Sequence, residues 1–454
     1  MQKTEFFENA NTMNTMDGLN DTETETAEMQ KAVLIGVITP DSSESEMQIS
    51  LDELERLCDT AGVTVDARLT QNRTSPDTGT YIGSGKLEEA KSIIEANGIN
   101  LAVVDDELSP SQIRNIENKL NIEVIDRTML ILEIFANHAY TSEGKLQVEI
   151  AQLRYTAPRL TGKGKDMSRL GGGGGGASGA RRGAGETKLE IDRRNIKSRI
   201  AALQKEIAQL EVSRGVMRSR REKTGIPNIS IAGYTNSGKS TLLNYLTSAG
   251  VLAENKLFAT LDPTTRKLKL PNGTEVLLTD TVGLIKKLPH HLVRAFKSTL
   301  DEIIYADIIL LVADISDPEH QNQIAVTKEL LADMGATDKT FIIVYNKIDM
   351  ARMTVVGDGV LDVPPNTEDN QTEVFISAKT GEGVDELLQT IQSALESERK
   401  AMTFVFELNG KEQVHISNLY KNAHVSSVEY SDDSVTVTAA ADEKTRNMYA
   451  EFAR

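Results

Sequence analysis

The sequence predicts a multidomain α/β protein. A central α/β domain with a mixed, mostly parallel sheet is preceded by a small α/β domain with a long helical hairpin and followed by a small α+β domain. Three observations carry this reading. Short apolar strands alternate with helices over residues 31–140 and again over 226–398. A strand, the pattern G-x-x-x-x-G-K-[ST] and an apolar helix follow one another in NISIAGYTNSGKSTLLNYL. Between these blocks, two helical stretches with matched apolar stripes flank the glycine run Gly171–Gly176.

Composition sets the outer bounds. A chain of 454 residues exceeds one ordinary domain. The single cysteine, Cys58, excludes an internal disulfide framework and fits a reducing compartment. The longest strongly apolar run, DIILLVAD near residue 310, has the length of a buried strand and not of a membrane span. Residues 1–30 are acidic and polar, without a basic start or an apolar stretch, and read as a disordered tail rather than a signal peptide. We therefore expect a cytoplasmic monomer with no membrane partner. Net charge is −17, which disfavours nucleic acid, but the charge is uneven. From Lys145 to Lys223 there are 19 Lys/Arg against 8 Asp/Glu. Such a basic segment inside an acidic chain points to a polyanion partner, although solvated helix faces carry charge of this kind too.

In the N-terminal domain (31–140), KAVLIGV, TVDARLT, NLAVV and IEVI read as buried strands of a mostly parallel sheet. SLDELERLCDTAG and SPSQIRNIENKL read as helices, the second with Ser109 as N-cap and Pro110 at its first position. YIGSGKLEE contains GSGK, but Thr80 stands at the first glycine position and Leu87 replaces the metal-binding hydroxyl, so Gly83 and Gly85 read as a turn before a helix. No motif for a second nucleotide such as ATP occurs in this domain.

Residues 141–224 follow as a basic helical unit. Leu146, Ile150, Leu153, Ala157 and Leu160 form one stripe; Ile196, Ile200, Leu203, Ile207, Leu210 and Met217 form another, interrupted by Arg214. Matching stripes predict two helices packed as an antiparallel hairpin, with residues 161–186 as its tip and not a slack linker. Thr187 and Glu190 form a capping-box pattern that starts the return helix. Glycines give the tip backbone freedom, and arginines can meet phosphates.

The nucleotide signal is the strongest. Gly233, Gly238, Lys239 and Ser240 satisfy the phosphate-loop pattern after the strand Ile229–Ala232. Glycines let backbone amides curl around phosphates at a helix N-terminus; the lysine reaches β- and γ-phosphates, and the serine hydroxyl ligates Mg²⁺. Three further motifs each follow a strand in order. LLTDTVGL supplies Asp280, which can hold Mg²⁺ through water, and the Gly283 amide for the γ-phosphate. FIIVYNKID supplies Asn346, Lys347 and Asp349, whose carboxylate can accept guanine N1–H and N2–H₂. VFISAKTG supplies Ser377, Ala378 and Lys379, where an amide can meet guanine O6. Together they specify GTP. Asn272-Gly273 marks a hairpin turn upstream of Asp280, and before it Thr260 in FATLDPT is the preferred hydroxyl for Mg²⁺ when the γ-phosphate is present, with Thr264 and Thr265 as competitors. Leu284 stands where many GTPases carry a water-orienting glutamine, which predicts slow unassisted hydrolysis on the order of 10⁻⁴ to 10⁻² s⁻¹. Asn236 is either a K⁺ ligand near the phosphates or a loop hydrogen-bonder. Lys239, Asn236 and Gly283 are the candidate catalytic groups. Beyond residue 401, TFVFELNG, a helical NLYKNA segment and VSSVEYSDDSVTVTAAA indicate a small α+β domain (401–454).

From residue 31 onward the chain resembles the HflX family, ribosome-associated GTPases of the Obg–HflX group. The resemblance rests on YIGSGKLEEA, LQVEIAQLRY, GETKLEIDRR, GYTNSGKSTLLN, FATLDPTTR and DTVGLIKKLP. It implies that Gly233, Tyr234, Thr235, Asn236, Ser237, Gly238, Lys239, Ser240, Thr241, Phe258, Thr260, Asp280, Gly283, Asn346, Lys347, Asp349, Ser377, Ala378 and Lys379 form the GTP site, with Ser240 and Thr260 on Mg²⁺. It also implies the large (50S) ribosomal subunit and its rRNA as partner, splitting or rescue of stalled ribosomes under stress, and stimulation of hydrolysis by ribosomes. The candidate RNA contacts are Arg169, Gly173, Arg181, Arg182, Lys188, Arg193 and Arg194. The chain departs from the family pattern in its long uniform glycine run and in Ala184, where proline is usual. A GTPase timing ribosome assembly, or a signalling GTPase with a protein effector, are the other classes compatible with the residues.

Overall fold

The computed structural model describes residues 30–162 and 181–453, excluding 248–256, 259, 288, 290–291, 293–296, 337–338, 355–371, 399, 409, 411, 432, 442–444 and 446–447. The acidic tail, Arg169, Gly173 and most of the glycine segment lie outside the described residues.

Strands β1 (Lys31–Ile38), β2 (Thr64–Asn72), β3 (Leu101–Val104) and β4 (Glu123–Asp126) form a parallel sheet of order β2-β1-β3-β4. Helices α1 (Glu44–Thr60), α2 (Ser84–Asn97) and α3 (Pro110–Leu120) connect them. Their starts follow from local chemistry. Ser43 with Glu46, and Ser109 with Gln112, make capping boxes, and Pro110 sits where its missing N–H costs nothing. At α2 the turn is shorter than the sequence suggested: Gly83 is the N-cap and Gly85 already lies inside the helix.

A further helix, α4 (Arg127–His138), has no counterpart in the sequence reading. Arg127 through Leu132, with Ile134 and Phe135, are all buried, so no polar face marks a helical period. After α4 comes the hairpin: α5 (Ser142–Thr156), a 3₁₀ turn at Ala157–Gly162, and α6 (Arg181–Thr224), the longest helix at 44 residues. Glu149 pairs with Arg199 at 2.7 Å and Glu143 with Arg214 at 2.5 Å, a crossed order that makes the helices antiparallel. Two expectations are corrected. The buried face of α5 runs through Gly144, Gln147, Val148, Ala151 and Tyr155, with Ile150 alongside, while Leu146 and Leu153 are only part-buried. The return helix is under way at Arg181, so Thr187 and Glu190 lie within it and do not start it, and 181–186 belongs to helix and not to the tip. On α6 the stripe Ile196, Ile200, Ile207 and Leu210 is half-buried around a buried Leu203. Ile191, Val212 and Val216, on other faces of α6, are exposed.

The third unit is a six-stranded sheet of order β10-β9-β8-β5-β7-β6. Strands β5 (Asn228–Gly233), β7 (Glu275–Asp280), β8 (Ile308–Asp314), β9 (Thr340–Asn346) and β10 (Thr372–Phe375) are parallel. Only β6 (Thr264–Lys269) is antiparallel, joined to β7 through Asn272 and Gly273, the latter at φ +85°. Helices α7 (Lys239–Thr247), α8 (Lys297–Ile304), α9 (His320–Asp333), α10 (Ile348–Thr354) and α11 (Val384–Glu398) accompany it. The C-terminal unit pairs β11 (Lys400–Glu407), β13 (Ser434–Ala441) and β12 (Ala423–Tyr430) antiparallel in that spatial order, with α12 (Glu412–Asn422) packed on them. Among the described residues, no helix is long and apolar enough to cross a membrane.

One apolar cluster is continuous across three of these units. Leu51, Leu54, Leu130 and Phe135 of the first sheet domain, Val148 and Tyr155 of the hairpin, and Phe258, Leu261, Leu284 and Ile285 of the third unit share a single core. At its polar margin lies Arg127, 1% exposed, bonded to Asp105 at 2.8 Å and to Glu53 at 2.8 Å. Burial opposes the ionisation of Asp105, but Arg127 and Lys287 outweigh it and hold the carboxyl below its usual range. Removing one partner of a buried pair leaves an uncompensated charge. Arg127→Ala is therefore expected to destabilise the protein by about 3 kcal/mol, read as a lower urea midpoint at neutral pH.

Candidate nucleotide-binding site

The loop between β5 and α7 is shaped by backbone conformations that few side chains tolerate. Gly233 has φ +148°, and a Cβ there would collide with the Val312 carbonyl. Gly238 has φ +95° and leaves no room beside the Asn346 amide. Asn236 has φ +59°, a conformation asparagine accepts readily, so the backbone gives this residue a reason to be there independent of any ion. The loop curls so that Lys239 Nζ donates to the Tyr234 carbonyl at 2.7 Å.

Three oxygens converge at the start of α7. Ser240 Oγ lies 2.8 Å from Thr260 Oγ1 and 2.7 Å from Asp280 Oδ2. The competitors for Thr260 are elsewhere: Thr264 opens β6, and Thr265 Oγ1 meets Thr279 Oγ1 at 3.0 Å within the β6–β7 ladder. Asp280 Oδ1, Thr235 Oγ1 and Ser237 Oγ are buried and take no hydrogen bond among the described residues. Two hydroxyls and a carboxylate with a spare buried oxygen form a hard oxygen set, suited to an ion such as Mg²⁺ that keeps waters and phosphates in its shell. Burial raises the Asp280 carboxyl, a push opposed by Lys239 and by bonds from Ser240 and Thr260. Lys239 is buried beside it, and that burial lowers its ammonium from 10.5 to about 8, against the pull of Asp280.

The second half of the site forms a linked set. Asn346 donates to the Ser237 carbonyl at 2.8 Å and accepts from the Ala378 amide at 2.9 Å, so it ties the phosphate loop to the segment after β10. Asp349 accepts from the Ser377 hydroxyl at 2.8 Å. Lys347, at φ +66°, reaches back to Asp314 at 2.6 Å. Lys379 is exposed. The Phe258 ring meets Phe135 edge-on at 4.7 Å, so its side chain lies at the contact with the first sheet domain. Leu284 and Ile285 are fully buried, and neither can orient a water.

The segment after Asp280 closes on the phosphate loop. Thr235 donates to the Leu284 carbonyl at 2.9 Å, and Leu284 to the Gly233 carbonyl at 3.1 Å. A Cβ on Gly283 would lie 2.9 Å from Thr235 Cα and 3.1 Å from Lys239 Nζ, so only glycine fits there. Tyr234, expected in the GTP site, donates its hydroxyl to Glu53 of α1 and accepts from the Lys286 amide at 2.7 Å. Glu53, Lys287 and Asp105 were missed in the sequence. Lys287, at φ +56°, places Nζ 2.5 Å from Asp105 and 2.8 Å from Asp106. Asp105 follows β3 and donates its amide to Ile35 of β1 at 3.0 Å. That is the crevice at the carboxyl ends of the strands where order reverses, the place where such sheets usually take ligands. Here the chain's own lysine occupies it. Of the RNA candidates, Arg193 and Arg194 are exposed on α6, with Arg194 3.2 Å from Glu190. Arg181, Arg182 and Lys188 lie on the same helix, their side chains outside the described set.

A strand, a glycine loop with a buried lysine, a Ser–Thr–Asp oxygen cluster and an Asn-Lys-x-Asp segment wired to a Ser-Ala-Lys segment define a P-loop GTPase. Comparison narrows the class. The family model for the GTP-binding GTPase N-terminal region matches residues 48–136, that for the GTP-binding GTPase middle region 138–221, and that for the 50S ribosome-binding GTPase 228–347. GTPase HflX of Lacrimispora saccharolytica is 49% identical over 413 residues, 90% of this chain and 93% of the relative. GTPase HflX of Escherichia coli K12 is 40% identical over 369 residues, 81% of this chain and 84% of the relative. Among solved structures, a GTP-binding protein from Sulfolobus solfataricus in complex with GDP is 25% identical, with a TM-score of 0.40, covering 81% of this chain and 99% of that one. The chain belongs to the HflX family of GTPases and binds and hydrolyses GTP.

The Lys239 environment makes a proton-linked prediction. Phosphates arriving beside the ammonium raise its pKa, so the complex holds a proton that the free protein releases above about pH 8. GDP affinity should therefore fall as pH rises through 8 toward 9. Titration calorimetry at pH 8.5 in two buffers of different ionisation enthalpy should show net proton uptake, and Lys239→Ala should abolish that uptake.

Proposed function

We propose that this GTPase cycles on the large ribosomal subunit in the cytoplasm and splits or rescues stalled ribosomes under stress. The observation that carries the proposal is the basic hairpin. Its long return helix leads into the glycine segment, with Arg193 and Arg194 in solvent and a charge excess that favours a phosphate backbone as partner. The 50S ribosome-binding GTPase model over residues 228–347 supports the same partner. The RNA-facing set is Arg169, Gly173, Arg181, Arg182, Lys188, Arg193 and Arg194.

In this reading the phosphate loop, with Lys239 and the amides around Asn236 and Gly238, holds the β- and γ-phosphates, and Gly283 meets the γ-phosphate. Ser240, Thr260 and Asp280 would hold Mg²⁺, which when bound would neutralise charge on the transferred phosphoryl group. Asp349 reads the guanine edge, with Asn346 and Ala378 fixing its frame. With Leu284 and Ile285 buried, no side chain following Gly283 aligns the attacking water, so hydrolysis is slow alone and accelerates on the ribosome. Asn236 can add K⁺ beside the phosphates. If so, hydrolysis is faster in K⁺ than in Na⁺, and Asn236→Ala erases the difference.

Deletion of residues 171–184 tests the arm. It removes Arg181 and Arg182, so with a non-hydrolysable GTP analogue the salt slope of large-subunit co-sedimentation should drop by about 1.5. Depletion of 70S particles by the intact protein, absent in the deletion, identifies splitting as opposed to assembly. Full binding and full splitting by the deleted protein would remove the arm from the mechanism.

A further inference from the structure

The segment that carries Thr260 is gripped at three points by the units that precede the GTPase sheet. Leu257 donates its amide to Thr60 Oγ1 at the end of α1, at 3.2 Å. Phe258 packs edge-on against Phe135 of α4. Asp262 takes the third grip, at the first turn of the hairpin helix α5. Its Oδ2 accepts from the backbone amides of Tyr140 at 3.0 Å and Thr141 at 2.7 Å, and its Oδ1 accepts from the Thr141 hydroxyl at 2.5 Å. Thr141 is also the N-cap of α5, accepting from the Gly144 amide at 3.0 Å.

Gly144 is the independent sign that this contact is built in. Glycine in the first turn of a helix sacrifices about 1 kcal/mol of propensity relative to alanine. A Cβ at this position would lie 2.6 Å from Asp262 Oδ1 and 3.1 Å from Thr141 Oγ1, so the small residue clears a seat for the carboxylate. An anionic side chain at a helix N-terminus, with three donors aimed at it, is also favoured by the helix dipole. Two residues away, Thr260 Oγ1 stands 2.8 Å from Ser240.

We propose that Thr141 and Asp262 are positioning residues for GTP hydrolysis. The hairpin base, through the Asp262 carboxylate, pre-sets the Thr260 hydroxyl in the metal and γ-phosphate site, so that the protein's grip on GTP over GDP depends on a contact made by the arm. This rests on the reading of Thr260 as the GTP-state ligand. Loss of the contact leaves the phosphate loop and the guanine residues untouched, so GDP binding is unaffected. The GTP complex must then place Thr260 with only the Leu257 and Phe258 contacts upstream of it.

The test measures affinities of the full chain for fluorescent GDP and for a fluorescent non-hydrolysable GTP analogue across a Mg²⁺ titration. Thr260→Ala first checks the underlying reading: it should weaken the analogue and spare GDP, and if it spares both, that reading fails on its own. Given that result, Thr141→Ala and Asp262→Ala should each weaken the analogue about tenfold, the size of a lost charge-assisted contact, and raise its Mg²⁺ requirement, with GDP affinity unchanged. Thr141→Ser, which keeps the hydroxyl, should restore the parent values. The double variant should lose no more than Asp262→Ala alone, which already removes every bond at this contact. An analogue-to-GDP ratio unchanged in Thr141→Ala while Thr260→Ala shifts it would overturn the inference. So would equal weakening of both nucleotides, or additive losses in the double variant.

Discussion

A guanidinium without water must be surrounded by acceptors, and in this protein that requirement organises the nucleotide site from outside the GTPase sheet. Arg127 opens α4 in the interior and draws in Asp105, Glu53 and the hydroxyl and carbonyl of Ser50. Neither carboxylate is used up by it. The far oxygen of Asp105 takes Lys287, and the other oxygen of Glu53 takes the Tyr234 hydroxyl. A single buried charge in one unit thereby fixes two acceptors that face the phosphate loop and the stretch after Gly283 in another.

The magnitudes divide the labour between apolar and polar contacts. Burying Leu257, Phe258, Leu261 and Leu284 is worth roughly 6–12 kcal/mol before chain entropy is charged against it. Each neutral hydrogen bond across the same boundary adds on the order of 1 kcal/mol. Adhesion between the units is therefore a matter of the shared core. The polar contacts decide register: an apolar surface tolerates sliding, whereas Lys287 between Asp105 and Asp106 does not. The crevice that comparable sheets give to a ligand has become, in this fold, the receptor for a neighbouring loop.

Most of the architecture was legible because short strands alternate with capped helices, and because Ser109, Pro110 and Gly273 each announce their local geometry; the Ser43 cap was passed over, and α1 begins at Glu44, a turn and a half before Ser50, where the sequence reading started it. The nucleotide residues were legible for a related reason, since phosphate and guanine recognition demand fixed residue types at fixed spacings. Legibility ended where a residue's role depends on a distant partner. Asp262, Glu53 and Asp105 are ordinary acidic residues in sequence, and only tertiary placement shows a carboxylate seated on a helix terminus or a charge network. Helix α4 was invisible because its first six residues are buried all round, the charged Arg127 included, so no polar stripe marks a helical period. The first hairpin stripe was misassigned because Gly144 and Gln147 line its buried face, and a period counted in leucines passes over both. Thr187 and Glu190 show the reverse error: a capping pattern has no effect when the helix upstream continues.

The hairpin has a mechanical consequence. Arg214 of α6 lies opposite Glu143, near the seat of Asp262, and the helix continues from there back to Arg181. At 1.5 Å per residue that length is roughly 50 Å. Much of it packs along α5 and the 3₁₀ turn, as the Glu149–Arg199 pair shows, and these are moored in turn to the first sheet domain by Val148 and Tyr155 in the shared core and by Arg159, which donates to the Leu108 carbonyl at 2.8 Å. The hairpin is therefore a braced strut: a push on the arm is passed to the first sheet domain as a whole, and the seat of Asp262 moves with it.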